Sequence, residues 1–336
     1  MSLALVIGGS GFLGRAIVDQ LVQRHQSVRV LDRVTAPDPR VESIMGDIVD
    51  LDVVDRACAN VDAVYHTAAL VDWRPRQSKQ LYDVNVRGTL NVIRACQLQG
   101  VKRLIYTSSV DVVFDGHPIV DGDERLPYPT KHLDDYGRTK AIAEQAVIAA
   151  NGQGGVAVCS LRTAGIYGPH DRHRLPGVLQ AAQRGQLLRV GDGHARFNHV
   201  YVTNAAHAHV LAAQALSLNS SVAGQCYFIT DYAATNFFEF MRPFLTALGY
   251  PWPTRSMPYA VAYAIGTVTE AAARLGLGQP SASAMTRYVV ASTGRDFNFT
   301  HARAARDFGY EPSVPFEQAI AETIEWLKAN QHTFDA

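Results

Sequence analysis

The residues with the clearest capacity for chemistry are a tyrosine, a lysine four positions later and a serine upstream of both. Tyr136 and Lys140 stand about one helical turn apart, which places both side chains on one face of a helix. A free phenol has a pKa of about 10, and a nearby ammonium group favours the phenolate. Ser109 ends an apolar run and can hydrogen-bond the substrate oxygen whose proton the tyrosine takes or gives. The pattern predicts a proton-transfer site, although this spacing alone is a weak signal.

The composition is that of an ordinary globular protein, with 47% hydrophobic and 18% charged residues. Lysine plus arginine and aspartate plus glutamate both number 31, so there is no electrostatic case for a nucleic-acid partner. The cysteines show no metal-ligand spacing, and we expect buried thiols in a reducing cytoplasm and no metal site. We recognise no signal peptide and no apolar run of ~18 residues, so we expect a cytoplasmic protein, with peripheral membrane contact left open.

A glycine-rich turn near the start of the chain predicts a dinucleotide site. Residues 3–7 are apolar, three spaced glycines follow, and residues 15–24 have helical periodicity. Such a turn lets the backbone approach a pyrophosphate, which binds the exposed N–H groups at the start of the helix. The candidate cofactor contacts in this turn are Gly8, Gly11, Phe12, Leu13 and Gly14.

The next predicted strand ends at Asp32, which bears on the choice of cofactor. An acid about 20 residues past the glycines can bond both hydroxyls of an adenosine ribose and repel a 2′-phosphate. Asp32 therefore favours NAD. Arg33 keeps NADP open, because a guanidinium group can bind the extra phosphate.

Later strands alternate with helices, which predicts an α/β fold with a Rossmann-type, doubly wound parallel sheet. Ligands bind such sheets at the carboxyl ends of the strands, where Ser109 also lies. A single long helix is predicted over residues 77–99. The further candidate cofactor contacts are Asp47, Ile48, Ala68, Ala69, Asn85, Thr107, Tyr136, Lys140, Thr163 and Ile166.

The pattern changes after Arg162. We expect residues 1–165 to form the dinucleotide-binding domain and residues 166–336 to form mostly a substrate-binding cap, with about 198–230 returning to the first domain. Pro169, Pro176 and the stretch 191–199 predict loops and short elements in the cap.

Together these motifs resemble the extended short-chain dehydrogenase/reductases over nearly the whole chain. The matching segments are the glycine turn, Asp32, Gly46-Asp47, Ala68-Ala69, Asn85-Val86-x-Gly88-Thr89, Thr107-Ser108-Ser109 and Tyr136-x-x-x-Lys140. A finer similarity is to the 3β-hydroxysteroid dehydrogenase branch, and within it to the decarboxylating sterol-4α-carboxylate 3-dehydrogenases. That similarity rests on residues 107–116, Leu126-Pro127-Tyr128, Asp135-Tyr136 and residues 162–169. The chain departs from the pattern at Thr163, where a proline is common, and at Thr203, where an aspartate is common.

The resemblance implies a mechanism. Tyr136 would be the general acid/base, Lys140 would lower its pKa and hold the nicotinamide ribose, and Ser109 would orient the reacting oxygen. Hydride would pass between the nicotinamide and C3 of a lipidic, sterol or steroid-like substrate. If the substrate carries a 4α-carboxylate, oxidation makes a β-keto acid that can lose CO2. A homodimer is expected.

Three other functions stay open. A reductase of 2-alkyl-3-oxo fatty acids resembles this branch almost as well. A sugar-nucleotide epimerase or dehydratase fits the superfamily, but the cap lacks an obvious diphosphate-binding arginine set. A regulator that senses NAD(P) without turnover belongs to a different class, and such proteins often lose the tyrosine or lysine that this chain retains.

Two features of the second half complete the prediction. Residues 258–269 are an apolar run too short to span a bilayer, and the region about 257–278 is a candidate for contact with a membrane surface or a second subunit. One of four cationic residues of the cap could hold a substrate carboxylate, but a solvated loop is the more common role for such residues. They are His170, Arg172, His173 and Arg174.

Overall fold

The computed structural model describes residues 2–73, 78–172, 174–277 and 284–331. The strands within these ranges are β1 (Leu3–Ile7), β2 (Ser27–Asp32), β3 (Glu42–Met45), β4 (Ala63–His66), β5 (Arg103–Ser109), β6 (Ile119–Gly122), β7 (Ala157–Thr163), β8 (Gly165–Tyr167), β9 (Arg189–Val190), β10 (Arg196–Phe197), β11 (His199–Tyr201), β12 (Gln225–Ile229), β13 (Thr235–Asn236), β14 (Ser256–Met257) and β15 (Phe297–Phe299). The α-helices are α1 (Phe12–Gln23), α2 (Leu51–Cys58), α3 (Lys79–Tyr82), α4 (Thr89–Leu98), α5 (Asp135–Ala149), α6 (Leu175–Gln183), α7 (Val202–Ala215), α8 (Phe237–Leu248), α9 (Tyr259–Arg274), α10 (Arg287–Gly294), α11 (Ala302–Phe308) and α12 (Phe316–Ala329).

Seven parallel strands form the central sheet, in the order β12-β7-β5-β4-β1-β2-β3. Strands β4 and β7 are buried along their whole length because helices cover both faces of the sheet. Helices α1 and α7 pack on one face, and α2, α4 and α5 pack on the other. The strand order reverses between β1 and β4, which opens a crevice at their carboxyl ends. The predicted Rossmann-type, doubly wound sheet is confirmed.

A smaller mixed sheet, in the order β13-β10-β15-β6, lies within the rest of the fold. Strand β12 comes from the segment about 198–230 and pairs with β7, with Ile229 opposite Thr163. In the same segment, α7 packs against α1. The division of the chain at residue 165 stays our proposal for the domain boundary.

The predicted long helix over 77–99 is wrong as a single element. Residue 77 lies outside the described residues, and the rest divides into α3, a π-helical segment (Asp83–Gly88) and α4. Asn85 lies in the π-helical segment, and its side chain bonds the backbone of Leu70 instead of facing solvent. Single π-helical turns are frequent at functional sites because they redirect one side chain.

The cap also holds more regular structure than its prolines and glycines predict. Pro176 lies in the first turn of α6, where a fixed φ and a missing N–H are both tolerated. In the described part of the chain, no helix combines the length and apolar character that a membrane span requires.

Candidate active site

The glycine turn between β1 and α1 is forced by close backbone contacts. A Cβ atom on Gly14 would lie 2.0 Å from the carbonyl oxygen of Gly8. Gly8 itself has a φ of +86°, and its Cβ would lie 2.7 Å from the backbone nitrogen of Ala68. Helix α1 starts here with no side-chain cap and no acidic residue in its first turn. Its first N–H groups are therefore available to an anion.

A groove with a volume of about 310 Å³ runs from this turn along the carboxyl ends of the central strands. It brings together sixteen of the seventeen predicted cofactor contacts. They are Gly8, Gly11, Phe12, Leu13, Gly14, Asp32, Arg33, Asp47, Ile48, Ala68, Ala69, Thr107, Tyr136, Lys140, Thr163 and Ile166. Sequence reasoning did not select Val71, Gln80 and Val84, which also line the groove but carry no motif.

Asn85 is the predicted contact that the structure places behind the groove. Its side chain accepts from the Leu70 N–H at 2.8 Å and donates to the Leu70 carbonyl oxygen at 3.0 Å. Its amide also donates to Oγ1 of Thr139, at 3.2 Å. Asn85 thus ties the loop after β4 to helix α5, and it supports the groove wall from behind.

Asp32 is held at the end of β2 by two backbone donors. One carboxylate oxygen accepts from the Ser10 N–H at 3.0 Å, and the other accepts from the Arg33 N–H at 2.7 Å. The carboxylate therefore has a fixed position on the groove wall. Arg33 is exposed beside it.

Tyr136 and Lys140 lie on the buried face of α5, which Asp134 caps by accepting from the Gly137 N–H at 2.8 Å. Nζ of Lys140 donates to the carbonyl oxygen of Thr107 at 2.6 Å and lies 4.2 Å from the ring centroid of Tyr106. Burial lowers the pKa of Lys140 to about 7, although the Glu144 carboxylate opposes that change.

The expected lowering of the Tyr136 pKa is wrong in this structure. Burial, followed by the Asp111 charge, raises the pKa of the phenol above its usual value, although the hydrogen bond with Ser109 opposes that rise. A phenolate in this place would lose its hydration and face a carboxylate. The proton therefore stays on Tyr136 more firmly than the spacing of tyrosine and lysine predicts.

Ser109 ends β5 and is hydrogen-bonded to an acid that sequence reasoning gave no role. Its hydroxyl donates to Oδ2 of Asp111 at 2.8 Å, and the Asp111 N–H donates back to Oγ at 3.3 Å. The Tyr288 hydroxyl, from α10, donates to Oδ1 of Asp111 at 2.8 Å. A signal was present in the sequence, because Asp111 interrupts the otherwise apolar residues 110–113.

A second cavity of about 120 Å³ adjoins the groove and shares Tyr136 with it. Aromatic rings line one side. Trp73 stacks on Tyr288 with ring centroids 5.9 Å apart, and it meets Tyr136 edge-on at 5.7 Å. Ser109 and Asp111 also face this cavity. Tyr136 thus stands where a long groove meets a short aromatic pocket.

Arg174 is the member of the cationic cluster that lines the second cavity. Its guanidinium carbon lies 4.5 Å from the ring centroid of Phe197, and one Nη is 3.4 Å from Nε2 of His199. Among the described residues, no aspartate or glutamate forms an ion pair with it, and its buried Nε has no hydrogen-bond partner. Burial lowers the pKa of Arg174 from its usual value.

The other cluster members lie elsewhere. His170 packs against Trp326 at 5.3 Å, and Arg172 is exposed. His173 lies outside the described residues. Within the described ranges, no group of three or more histidine, cysteine, aspartate or glutamate side chains is placed to hold a metal ion.

Comparison with known proteins agrees with this geometry. The sequence model of the 3-beta hydroxysteroid dehydrogenase/isomerase family matches residues 5–259. The chain is 38% identical to the 3beta-hydroxysteroid-dehydrogenase/decarboxylase isoform 2 of Arabidopsis thaliana, over 96% of this chain but only 61% of that protein. It is 36% identical to a 3-beta-hydroxysteroid dehydrogenase of Mycolicibacterium neoaurum, over 96% of this chain and 90% of that protein.

Among solved structures, the UDP-glucose 4-epimerase of Thermus thermophilus, in complex with NAD, superposes with a TM-score of 0.73. The match covers 97% of this chain and 99% of the epimerase at 22% identity, so it supports the fold and not the substrate. The family assignment rests instead on the sequence matches, which span most of the chain, and the range matched by the family model contains positions 109, 136 and 140. The chain belongs to the 3-beta hydroxysteroid dehydrogenase/isomerase family.

Proposed function

We propose that this protein is an NAD-dependent oxidoreductase that moves a hydride between the nicotinamide and the C3 hydroxyl or ketone of a sterol or steroid-like substrate. The observation that carries the proposal is the position of Tyr136, which lies in the wall of both the groove and the aromatic cavity. A substrate oxygen bound between Ser109 and Tyr136 would therefore lie next to the end of a dinucleotide in the groove.

The groove residues fit NAD. A side chain at Gly8 or Gly14 would collide with the backbone, so only glycine permits this tight turn. Such a turn lets the backbone N–H groups come close to a pyrophosphate. The free N–H groups of α1 suit the phosphates, and the fixed Asp32 carboxylate suits the adenosine ribose hydroxyls. The bound nicotinamide would supply the hydride acceptor.

The chain's own residues would handle the proton. In the oxidation direction, Tyr136 takes the proton of the substrate hydroxyl as the hydride leaves C3. Ser109 holds the oxygen in place. Lys140, anchored to Thr107, lies one turn behind the phenol, where it can bind the nicotinamide ribose and stabilise the phenolate that accepts this proton.

The shape and charge of the second cavity support the choice of substrate. Trp73, Tyr288 and Phe197 offer flat apolar surface, which suits a rigid ring system. Nε of the half-buried Arg174 has no hydrogen-bond partner, and no carboxylate of the described residues forms an ion pair with this side chain, although the Asp171 and Asp111 charges act on it. We therefore propose that the preferred substrate carries a carboxylate near C3, such as a 4α-carboxylate. After oxidation, the C4–carboxylate bond can break with its electrons entering the new ketone, and CO2 leaves.

Turnover of a matched set of substrates tests the proposal. The purified protein is assayed with NAD and with NADP by nicotinamide absorbance, using a 3β-hydroxysteroid, its 4α-carboxylated analogue, a 2-alkyl-3-oxo acid and a UDP-sugar. We expect NAD reduction with both steroids, and CO2 release with the carboxylated one. Activity confined to the oxo acid or to the UDP-sugar would replace the proposal with one of the open alternatives.

Arg174→Met tests the carboxylate contact. Hydrogen bonds to a charged group are typically worth ~1.5–3 kcal/mol, so KM for the carboxylated steroid should rise roughly tenfold or more. The neutral 3β-hydroxysteroid serves as the control and should change little. Equal effects on both substrates would show that Arg174 only shapes the cavity.

We also propose that α9 brings the enzyme to a lipid surface or to a second subunit, as its sequence predicts. Val268 is 69% exposed on this helix, and Leu275 just after it is 76% exposed. Residue 278, the end of the predicted contact region, lies outside the described residues. Exposed apolar side chains grouped on one short segment favour a contact over free solvent.

A further inference from the structure

Asp111 is a buried carboxyl group that the proton transfer by Tyr136 does not use. It is only 5% exposed, and it lines the second cavity beside Ser109 and Tyr136. One carboxyl oxygen receives the Ser109 hydroxyl, and the other receives the Tyr288 hydroxyl, both at 2.8 Å. An acid in this position fixes the side chain that must meet the substrate oxygen.

The hydrogen-bonding capacity of Ser109 is almost used up by Asp111. A hydroxyl group has one proton to donate and two lone pairs that accept. The Ser109 proton goes to Oδ2 of Asp111, and one lone pair accepts the Asp111 N–H at 3.3 Å. One lone pair remains for the Tyr136 hydroxyl, which also hydrogen-bonds Ser109, or for a substrate hydroxyl that takes its place. An alcohol can donate a hydrogen bond to this lone pair, whereas a ketone has no proton to donate.

We propose that Asp111 is a positioning residue that decides whether Ser109 accepts or donates at the reacting oxygen. The proposal rests on the function proposed above. With Asp111 ionised, Ser109 accepts from the substrate hydroxyl and favours the alcohol. With Asp111 protonated, the carboxyl O–H donates to Oγ of Ser109, and the serine proton is free to bond a ketone. Only protons are rearranged. Because an alcohol has a single proton, that proton turns from Ser109 to Tyr136 before it is transferred, and in both states the reacting proton passes between the substrate oxygen and Tyr136.

The surroundings of Asp111 support such a titration. Burial raises its pKa from the usual value, and the hydrogen bonds from Tyr288 and Ser109 oppose that rise. Titratable or charged groups face it from each neighbouring element. They are Ser109 on β5, His132 in the loop before α5, Asp134 and Tyr136 at the start of α5, Arg174 before α6, and Tyr288 on α10.

A merely structural role makes a different prediction. Asp111 joins the end of β5 to α10 through Tyr288, and this hydrogen bond would stabilise the fold at any pH at which the protein stays folded. A purely structural role would leave the ratio of the affinities for ketone and alcohol independent of pH. The pH dependence of that ratio therefore separates the two roles.

The test measures how the 3-ketosteroid inhibits oxidation of the 3β-hydroxysteroid at saturating NAD. The inhibition constant of the ketone and the KM of the alcohol are determined at a series of pH values. In the wild type, the inhibition constant of the ketone should rise roughly threefold to tenfold as pH rises through one step, which is the usual worth of one hydrogen bond. The KM of the alcohol should change little through that step, because an alcohol can donate to Ser109 in one state and accept the freed serine proton in the other. Asp111→Asn cannot ionise and should show no step, and an unchanged step in that variant would overturn the proposal.

Three further variants identify the group that titrates. Tyr288→Phe removes a donor that favours the ionised carboxylate, so the step should move to higher pH. Asp134→Asn removes the neighbouring acid and should keep a step. Asp115→Asn is the matched control, because Asp115 lies four residues from Asp111 but outside both cavities, and it should behave as the wild type.

A measurement without steroid keeps the proposal testable if the proposed substrate is wrong. The infrared band of a protonated carboxyl group, taken as the difference between wild type and Asp111→Asn, should grow as pH falls. Ser109→Ala deprives the ionised carboxylate of a donor and should move the midpoint of that band to higher pH. No turnover of either steroid would reject the proposed function alone, whereas a midpoint unchanged by Ser109→Ala would reject the role of Asp111.

Discussion

Lys140 and Thr107 are joined by a 2.6 Å hydrogen bond from the lysine Nζ to the threonine carbonyl oxygen. This bond ties helix α5 to the carboxyl end of β5, so the tyrosine on the helix and Ser109 on the strand are held in one place. It also fixes the ammonium group in a buried position, where its pKa falls to about 7. The lysine therefore has a structural contact as well as the catalytic role proposed for it.

Lys140→Met should damage both NAD binding and turnover, because the side chain would serve the nicotinamide ribose and the phenol. We expect kcat to fall by ~10²-fold or more, as for loss of a general acid–base group, together with a weaker Kd for NAD. Fluorescence titration with NAD and steady-state kinetics measure the two effects. Lys102→Met is the matched control, since Lys102 is an exposed lysine outside both cavities. A normal Kd in Lys140→Met would remove the cofactor role.

Asp32→Asn should narrow the preference for NAD over NADP. Asparagine can still accept the Ser10 N–H, so the turn should stay in place while the charge that repels a 2′-phosphate is lost. The measurement is kcat/KM for both cofactors. Arg33→Ala is the companion variant, and it should weaken any use of NADP without affecting NAD. A wild-type kcat/KM for NADP that equals or exceeds the value for NAD would contradict the predicted preference.

Sequence reasoning reached the parts of the site that depend on short spacings. The glycine turn, the acid ending β2 and the pair on α5 are each read within one strand or one helix, and all of them line the groove. The contact between Asp111 and Tyr288 joins residues 177 positions apart, and no local periodicity reports it. The direction of the Tyr136 pKa was missed for the same reason. It depends on burial and on a neighbouring acid, which only the assembled fold provides.

Asp134→Asn should change how stability depends on pH. Burial raises the pKa of Asp134 from 3.8 to about 8, so the folded protein binds this proton more tightly than the unfolded chain does. The contribution is complete below pH 3.8 and is lost as pH rises through about 8. Asparagine keeps the helix cap but cannot ionise. The variant should therefore have a higher Tm than the wild type at alkaline pH, and the difference should shrink in acid.

Thermal unfolding followed by circular dichroism across pH measures that difference. Asp50→Asn is the matched control, because Asp50 also caps a helix by accepting backbone N–H groups but is exposed. It should show no comparable pH-dependent gain. If Asp134→Asn lost stability equally at every pH, the cap and not the ionisation would be the feature that matters.

Val268→Asp should weaken whatever contact the exposed face of α9 makes. A charge in an apolar contact is costly, so the variant should bind liposomes less tightly or dissociate to monomers at lower concentration than the wild type. Liposome sedimentation and analytical ultracentrifugation distinguish the two partners. Val120→Asp is the control, since Val120 is 54% exposed but lies on β6. A wild-type protein that stays monomeric and ignores liposomes would contradict both versions.

Tyr136→Phe tests the central assignment, since it keeps the ring and removes only the hydroxyl. The ring contact with Trp73 and the wall of the groove should survive, so the Kd for NAD should change little. General acid–base groups typically contribute ~10²–10⁴-fold, and kcat should fall by at least that order. Because the pKa of this phenol is raised by burial and by Asp111, the wild-type kcat/KM for alcohol oxidation should increase with pH. That increase should be absent from the residual activity of Tyr136→Phe. A variant that retains more than about a tenth of wild-type kcat would show that the proton travels by another route, since this group should be worth at least ~10²-fold.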